Sequence, residues 1–152
     1  MSLGHITEDG IATLVFSLPA DADKARKAVA TVLGQYSQKV RSDAIRAMRS
    51  STPAGILYKI KGKRNKTIEH RASAPGQPPA VQSGRLWSSI TTESRNNGME
   101  HEAGPTVDYG KYLELGTKDM DAREFMGPAL EQNIEPLTTA ITRAIQRNMG
   151  AS

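Results

Sequence analysis

The stretch SSITTESRNNGMEHEAGPTV, residues 88–107, decides the fold. Arg95-Asn96-Asn97-Gly98 sits at its centre, and Asn-Gly tolerates the positive φ that a tight reversal needs. The sequence before it predicts a strand from about Ser88 to Glu93, and Met99 to Val107 predicts the antiparallel partner. Just upstream, Ser83-Gly84 is a turn signal, and Arg85-Leu86-Trp87 has room for one helical turn. Just downstream, Tyr109 to Gly116 offers a short helix, with Tyr112 and Leu115 expected inward and Gly116 as its stop. Thr117 to Ala122 reads as a polar loop, and Arg123-Glu124-Phe125 as extended chain.

Two amphipathic stretches flank this unit. Ala25, Val29, Val32, Tyr36, Val40, Ala44 and Met48 recur at steps of three or four, which lays them on one helical face. Asp21 or Asp23 is the expected cap, Gly34 a weak point, and Pro53 the stop. Leu130, Ile134, Leu137, Ile141, Ile145 and Asn148 share the face of a last helix starting near Met126–Pro128. Pro128 suits a first turn, whereas Pro136 lies inside the pattern and predicts a kink. Ile11 to Leu18, rich in β-formers, predicts a further strand. Two helices on one face of an antiparallel sheet make an α+β domain. The whole chain, 1–152, reads as a single domain, with frayed ends at 1–9 and 149–152.

The middle of the chain is different in kind. Ile56 to Ile60 and Thr67 to Arg71 predict a hairpin around a cationic turn, Lys61 to Lys66. Ala72-Ser73-Ala74-Pro75-Gly76-Gln77-Pro78-Pro79-Ala80 can be neither helix nor central strand. It is an ordered loop or a flexible arm. Few of its residues can anchor it in a core, which favours an arm over about 59–80 together with the hairpin.

Charge follows the same division. Residues 53–95 hold 8 Lys/Arg against 2 Asp/Glu, and residues 96–152 hold 5 against 9. A basic and an acidic region on one subunit suit an anionic partner such as nucleic acid, or head-to-tail self-association. The basic cluster is Lys59, Lys61, Lys63, Arg64, Lys66 and Arg71, opposed by Glu69. Glu100, Glu102, Asp108, Glu114, Asp119, Asp121 and Glu124 form its expected complement on a neighbouring subunit. Contact with DNA phosphates is the other use of such a cluster, and Tyr58 is the only aromatic near it for base stacking.

Support for catalysis is thin. The chain has no Cys, which excludes disulfides, thiolate zinc sites and a cysteine nucleophile. His5, His70 and His101 are far apart and lack metal-ligand spacing, so no metal or cofactor is expected. No Gly-rich loop precedes a Lys-Ser/Thr, and Ser83-Gly84 lacks the frame of a nucleophile elbow. Glu114, in a Leu-Glu-Leu setting, is the best acid–base candidate, alone or with His101; pairing with Arg85 or Arg123 is the competing structural role. No stretch reaches the length of a membrane span, and the acidic residues before Ile11 do not suit a signal peptide.

Three blocks taken in order resemble a known family. They are the Pro-rich block Ala72 to Leu86, ending in Gly84-Arg85-Leu86, then Tyr109-Gly110-Lys111-Tyr112-Leu113-Glu114-Leu115-Gly116-Thr117, then Arg123-Glu124-Phe125-Met126-Gly127-Pro128-Ala129-Leu130. After a long amphipathic helix, this set resembles the tail-completion, or head–tail joining, proteins of long-tailed phages and prophages. The resemblance spans about residues 22–148. It departs at Gln82-Ser83, where the family usually has Asp-Thr, and at Glu124, where it commonly has Pro and a rigid turn. The resemblance implies a non-enzymatic virion protein of the tail and neck, assembled in the bacterial cytoplasm. It implies a ring, typically a hexamer, that caps the tail tube, meets the tail tube protein and a head-side connector or stopper protein, and passes DNA through its lumen. Under this reading Gly84 and Gly116 set turns, Arg85 and Glu114 join at the sheet edge, and Phe125 and Leu130 seat the final helix. Leu86, Tyr112, Thr117, Arg123 and Pro128 are then structural motif positions, and the arm orders on ring formation.

Overall fold

A computed structural model describes residues 3–81 and 84–149. Its main sheet has four antiparallel strands in the order β1 (Gly4–Ile6), β2 (Ala12–Val15), β6 (Glu100–Pro105), β5 (Ile90–Arg95). Helices α1 (Asp23–Ser50) and α4 (Met126–Met149) pack on each other and on this sheet. The expected α+β architecture is therefore the observed one.

The β5–β6 hairpin pairs Ile90 with Pro105 and Arg95 with Glu100. Its turn is a 3-10 segment, Asn96–Gly98, in which Asn96, Asn97 and Gly98 all have positive φ. Strand β2 pairs with β6, Ala12 opposite Ala103 and Leu14 opposite His101. Within the segment expected to fray, 1–9, a strand forms at Gly4–Ile6, and residues 1 and 2 lie outside the described residues. Gly4, His5 and Ile6 pair with Leu14, Thr13 and Ala12 and make the sheet edge. The absence of a side chain at Gly4 allows this, because a Cβ there would lie 2.9 Å from Leu130 Cδ1 of α4.

Helix α1 buries Ala25, Val29, Leu33, Ser37, Val40, Ala44 and Met48. The seam thus runs through Leu33 and Ser37, with Val32 and Tyr36 at its half-buried margin. Ser37 is tolerated there because its hydroxyl donates to the Gly34 carbonyl at 2.8 Å. Neither Asp21 nor Asp23 caps the helix: the cap is Ala22, with no side-chain bond. Asp23 acts instead as an acidic residue in the first turn, favourable to the helix dipole. Gly34 is the place where α1 meets the sheet, since a Cβ there would stand 3.2 Å from His101 Cε1. Helix α4 continues through Pro136, which lies on its exposed side. Met126, Ala129, Leu130, Leu137, Ile141 and Ala144 bury its core face.

The middle segment forms a separate two-stranded sheet, β3 (Leu57–Lys61) and β4 (Thr67–Arg71), with Leu57 opposite Arg71 and Lys61 opposite Thr67. The Pro-rich segment after it is pinned, so the expected arm over 59–80 shrinks to the hairpin. Gln77 fastens the segment. Its Oε1 accepts from Ala54 N–H at 3.0 Å and Ala74 N–H at 2.8 Å, and its Nε2 donates to the Thr52 carbonyl at 3.0 Å. Ser73 is buried.

Candidate functional site

Helix α3 (Tyr109–Leu115) is the hinge of the site. It ends at Gly116, whose φ of 75° turns the chain and whose N–H returns to the Tyr112 carbonyl. Its inward face carries Gly110 and Glu114, both buried. Gly110 is in close contact there, since a Cβ would lie 2.5 Å from Pro105 Cγ and 3.5 Å from Leu86 Cδ1. Tyr112 and Leu115, expected inward, face out with 48% of their surface exposed, and Tyr109 joins them at 39%.

Glu114 explains the inversion. Its Oε2 accepts from Phe125 N–H at 2.8 Å and Met126 N–H at 2.9 Å, and its Oε1 from Gly127 N–H at 2.8 Å. These amides belong to the start of α4, which has no capping side chain of its own at Glu124 or Phe125. A carboxylate from another helix therefore caps α4 and meets its positive dipole end. Burial pushes the Glu114 carboxyl above its usual range, while the three N–H donors pull it down and Glu124 adds an upward push. Packing is tight around it, since a Cβ on Gly127 would come within 3.0 Å of Oε1.

The expected Arg85–Glu114 bond is not formed. Both Glu114 oxygens are engaged by α4, and the Arg85 guanidinium lies over the Tyr109 ring at 5.9 Å. Arg123 is not the carboxylate's partner either. Its Nε and Nη2 both donate to the Ser73 carbonyl at 3.2 Å, its Nη1 to Asp121 O, and its backbone N–H to Leu113 O. Gly76 N–H adds a bond to Ala122 O. Arg123 thus ties the Pro-rich segment to the end of α3.

Several of the remaining motif positions form turns or pack in the interior. Gly84 has φ of 78° and opens α2 (Arg85–Ser88), and a Cβ on it would lie 2.9 Å from Trp87 Nε1. Thr117 bridges to Met120, closing the loop after α3. Phe125 is fully buried and Leu130 nearly so, and Pro128 lies in the first turn of α4. Gln82 and Ser83, the variant positions of the first block, lie outside the described residues.

The hairpin carries the basic cluster outward. Lys59, Lys61, Lys63, Arg64, Lys66 and Arg71 are all exposed. Glu69 pairs across the ladder with Lys59. Arg71 Nη1 donates to the Gly55 carbonyl at 2.9 Å. Ile56, Leu57 and Ile68 are exposed beside the cations, Ile56 by 79%. At its root, Tyr58 and His70 meet edge to face at 5.2 Å and line a cleft of about 390 Å³ with Pro79, Trp87 and Tyr109.

The acidic complement is smaller than the sequence suggested. Glu114 is buried, Glu102 pairs with Arg95 at 3.3 Å, and Glu100 accepts from Asn96 at 2.8 Å. Asp108, Asp119, Asp121 and Glu124 remain exposed around α3. His101 is packed under α1, with Nε2 buried and unpartnered, and no contact joins it to Glu114. Burial lowers its pKa from 6.5. Among the described residues no group of three or more His, Cys, Asp or Glu is placed to hold a metal, and no helix is long and apolar enough to cross a membrane.

Sequence reasoning missed Glu114's role. A signal was present: Pro128 announces a first turn, yet no Ser, Thr, Asp or Asn stands at 123–126 to cap it. The acceptor had to come from elsewhere in the chain. Comparisons with protein-family models, with curated proteins and with solved structures return no match.

Proposed function

We propose that this chain is a structural subunit of the head–tail interface of a long-tailed phage or prophage. It caps the tail tube as an oligomeric ring through which DNA passes, and it promotes joining of head and tail. Its partners in this reading are its own copies, the tail tube protein and a head-side connector or stopper protein. No catalytic step is involved.

One observation carries the reading. The three blocks that resemble the joining proteins meet in a single joint, through Arg123 to Ser73, Glu114 to the α4 amides, and Leu86 against Gly110. Residues used in this way build a scaffold, not a reaction centre. Glu114, the best catalytic candidate, spends its carboxylate on three backbone amides. The test is electron microscopy of particles from a phage or prophage lacking this gene. Filled heads beside separate tails are expected. Normal virions would refute the assignment.

A second reading rests on the exposed hairpin, a small sequence-independent DNA-binding module using residues 59–71. It expects duplex binding that weakens steeply with salt, because each phosphate contact releases a condensed counterion. Binding unchanged between low and moderate salt removes that reading.

A further inference from the structure

A short surface helix ordinarily turns its apolar stripe to the core. Helix α3 does the reverse. Tyr109, Tyr112 and Leu115, at i, i+3 and i+6, form one exposed stripe, because the other face holds the α4 amides through Glu114. An exposed stripe of two tyrosines and a leucine is the composition of a contact surface. Asp108, Asp119, Asp121 and Glu124 are exposed in the segments that precede and follow α3 in the chain. Cations also stand at the stripe: Lys111, folded over the Tyr112 ring at 5.1 Å, Arg85, over the Tyr109 ring at 5.9 Å, and Lys118 in the loop that follows.

The hairpin has the opposite character. Its exposed Ile56, Leu57 and Ile68 lie among Lys59, Lys61, Lys63, Arg64 and Lys66. It pairs with no strand of the main sheet, so both its edges are open. Tyr109, at one end of the stripe, shares a cleft with Tyr58 and His70 of its own hairpin, whereas Tyr112 and Leu115 stay exposed in the same chain. Stripe and hairpin match in apolar content and oppose in charge.

We infer that the α3 stripe receives the β3–β4 hairpin of a second copy of this chain. This rests on the ring proposed above and specifies its contact. Ile68, on the hairpin face that it shares with Tyr58, packs on Tyr112 and Leu115, while the turn cations Lys63, Arg64 and Lys66 face the aspartates of the loop after α3. Because the two surfaces differ, each copy offers one of each. Such a contact is head-to-tail and closes into a ring when the rotation allows. Its charge pairs guide encounter and register, and they weaken with salt.

The absence of cysteine makes the contact testable in the full chain. Ile68→Cys and Leu115→Cys alter residues 50% and 48% exposed, so neither removes core packing. The double variant, oxidised with copper phenanthroline, should give a ladder of covalent dimers, trimers and larger species. An equal mixture of the two single variants should stop at a dimer, because each chain then has one reactive surface. The ladder should fade at about 0.5 M salt, where the screening length is only a few ångströms. A control, Ile68→Cys with Gln146→Cys, also exposed, should give at least tenfold less product.

Three results overturn the inference: an internally linked monomer as the main product, a ladder equally strong in the control, or an abundant dimer from Ile68→Cys alone. The last would mean hairpin-to-hairpin pairing. The gene-deletion micrographs separate this failure from that of the functional reading. Detached tails without the cross-link leave the joining role and remove the contact. A head-to-tail ladder with normal virions leaves the contact and removes the role.

Discussion

Replacing Glu114 by Gln removes one acceptor oxygen without changing the shape of the side chain. Oε2 serves two amides and Oε1 one, so the amide oxygen is best kept on Phe125 and Met126. The new NH₂ then points at Gly127 N–H, donor against donor. One charge-assisted bond disappears, a contribution of about 1.5–3 kcal/mol, and the two that remain weaken to neutral strength. Relief from burying a charge offsets part of this loss, since burial is what pushes the Glu114 carboxyl up. The net expectation is a loss of about 2 kcal/mol, within the range measured for lost helix caps. Glu114→Ala orphans all three amides and should cost about 4 kcal/mol. Urea unfolding followed by circular dichroism is the assay. With a slope of about 2 kcal/mol/M, the Gln variant's midpoint should fall by about 1 M and the Ala variant's by about 2 M. Glu124→Gln, exposed and outside the cap, should stay within about 0.5 kcal/mol of the parent. A Gln variant as stable as the parent would refute the remote-cap argument.

Further expectations follow from other parts of the joint and core. Gly116→Ala places a Cβ at φ of 75° and 2.9 Å from Ala122 N, so thermal melting should report a loss of about 2 kcal/mol or more. Gln77→Ala removes the acceptor of the Ala54 and Ala74 amides, and hydrogen exchange should speed up at those two positions while α1 is unchanged. The His101 pKa is lowered by burial from 6.5, so the unfolded chain binds the proton more readily than the folded one. The His101 contribution is therefore intact above about pH 6.5 and declines as pH falls through and below that value. The difference in stability between the parent and His101→Gln, measured from pH 7.5 to 5, should show this decline, since the raised Glu114 carboxyl contributes the opposite slope to both.

The main sheet and both long helices were legible because local signals agreed with tertiary ones. Asn97-Gly98 marks a reversal, and spacings of three and four locate both helices, although the buried seam of α1 turns by one residue at Leu33 and Ser37 in place of Val32 and Tyr36. The errors lie where a distant partner overrode the local pattern. Gly4-His5-Ile6 has no strand signature of its own and becomes an edge because Ala12 to Leu14 pairs with it. Tyr112 and Leu115 read as core by hydropathy, but Glu114 takes the inward place once the α4 amides need an acceptor. The Pro-rich block looked unanchored, because its anchors are backbone carbonyls and amides met by Gln77 and Arg123. Charge placed the hairpin correctly as an exposed basic element, yet overstated its complement by counting carboxylates already engaged within the subunit.

Helix α3 has two sides with two different obligations, and they are rigidly joined across a single helical diameter. Whatever settles on Tyr112 and Leu115 presses on the same turn that holds the first amides of α4. Docking outside and order inside are therefore thermodynamically linked, and the linkage is reciprocal. A partner that binds α3 in its seated position favours the seated state of α4's first turn. A lesion at Glu114 weakens such a partner in proportion to the seated population it removes, although Glu114 itself is buried. In the proposed ring, assembly and folding of the subunit would share one element, and each copy would be most tightly folded with its neighbour in place.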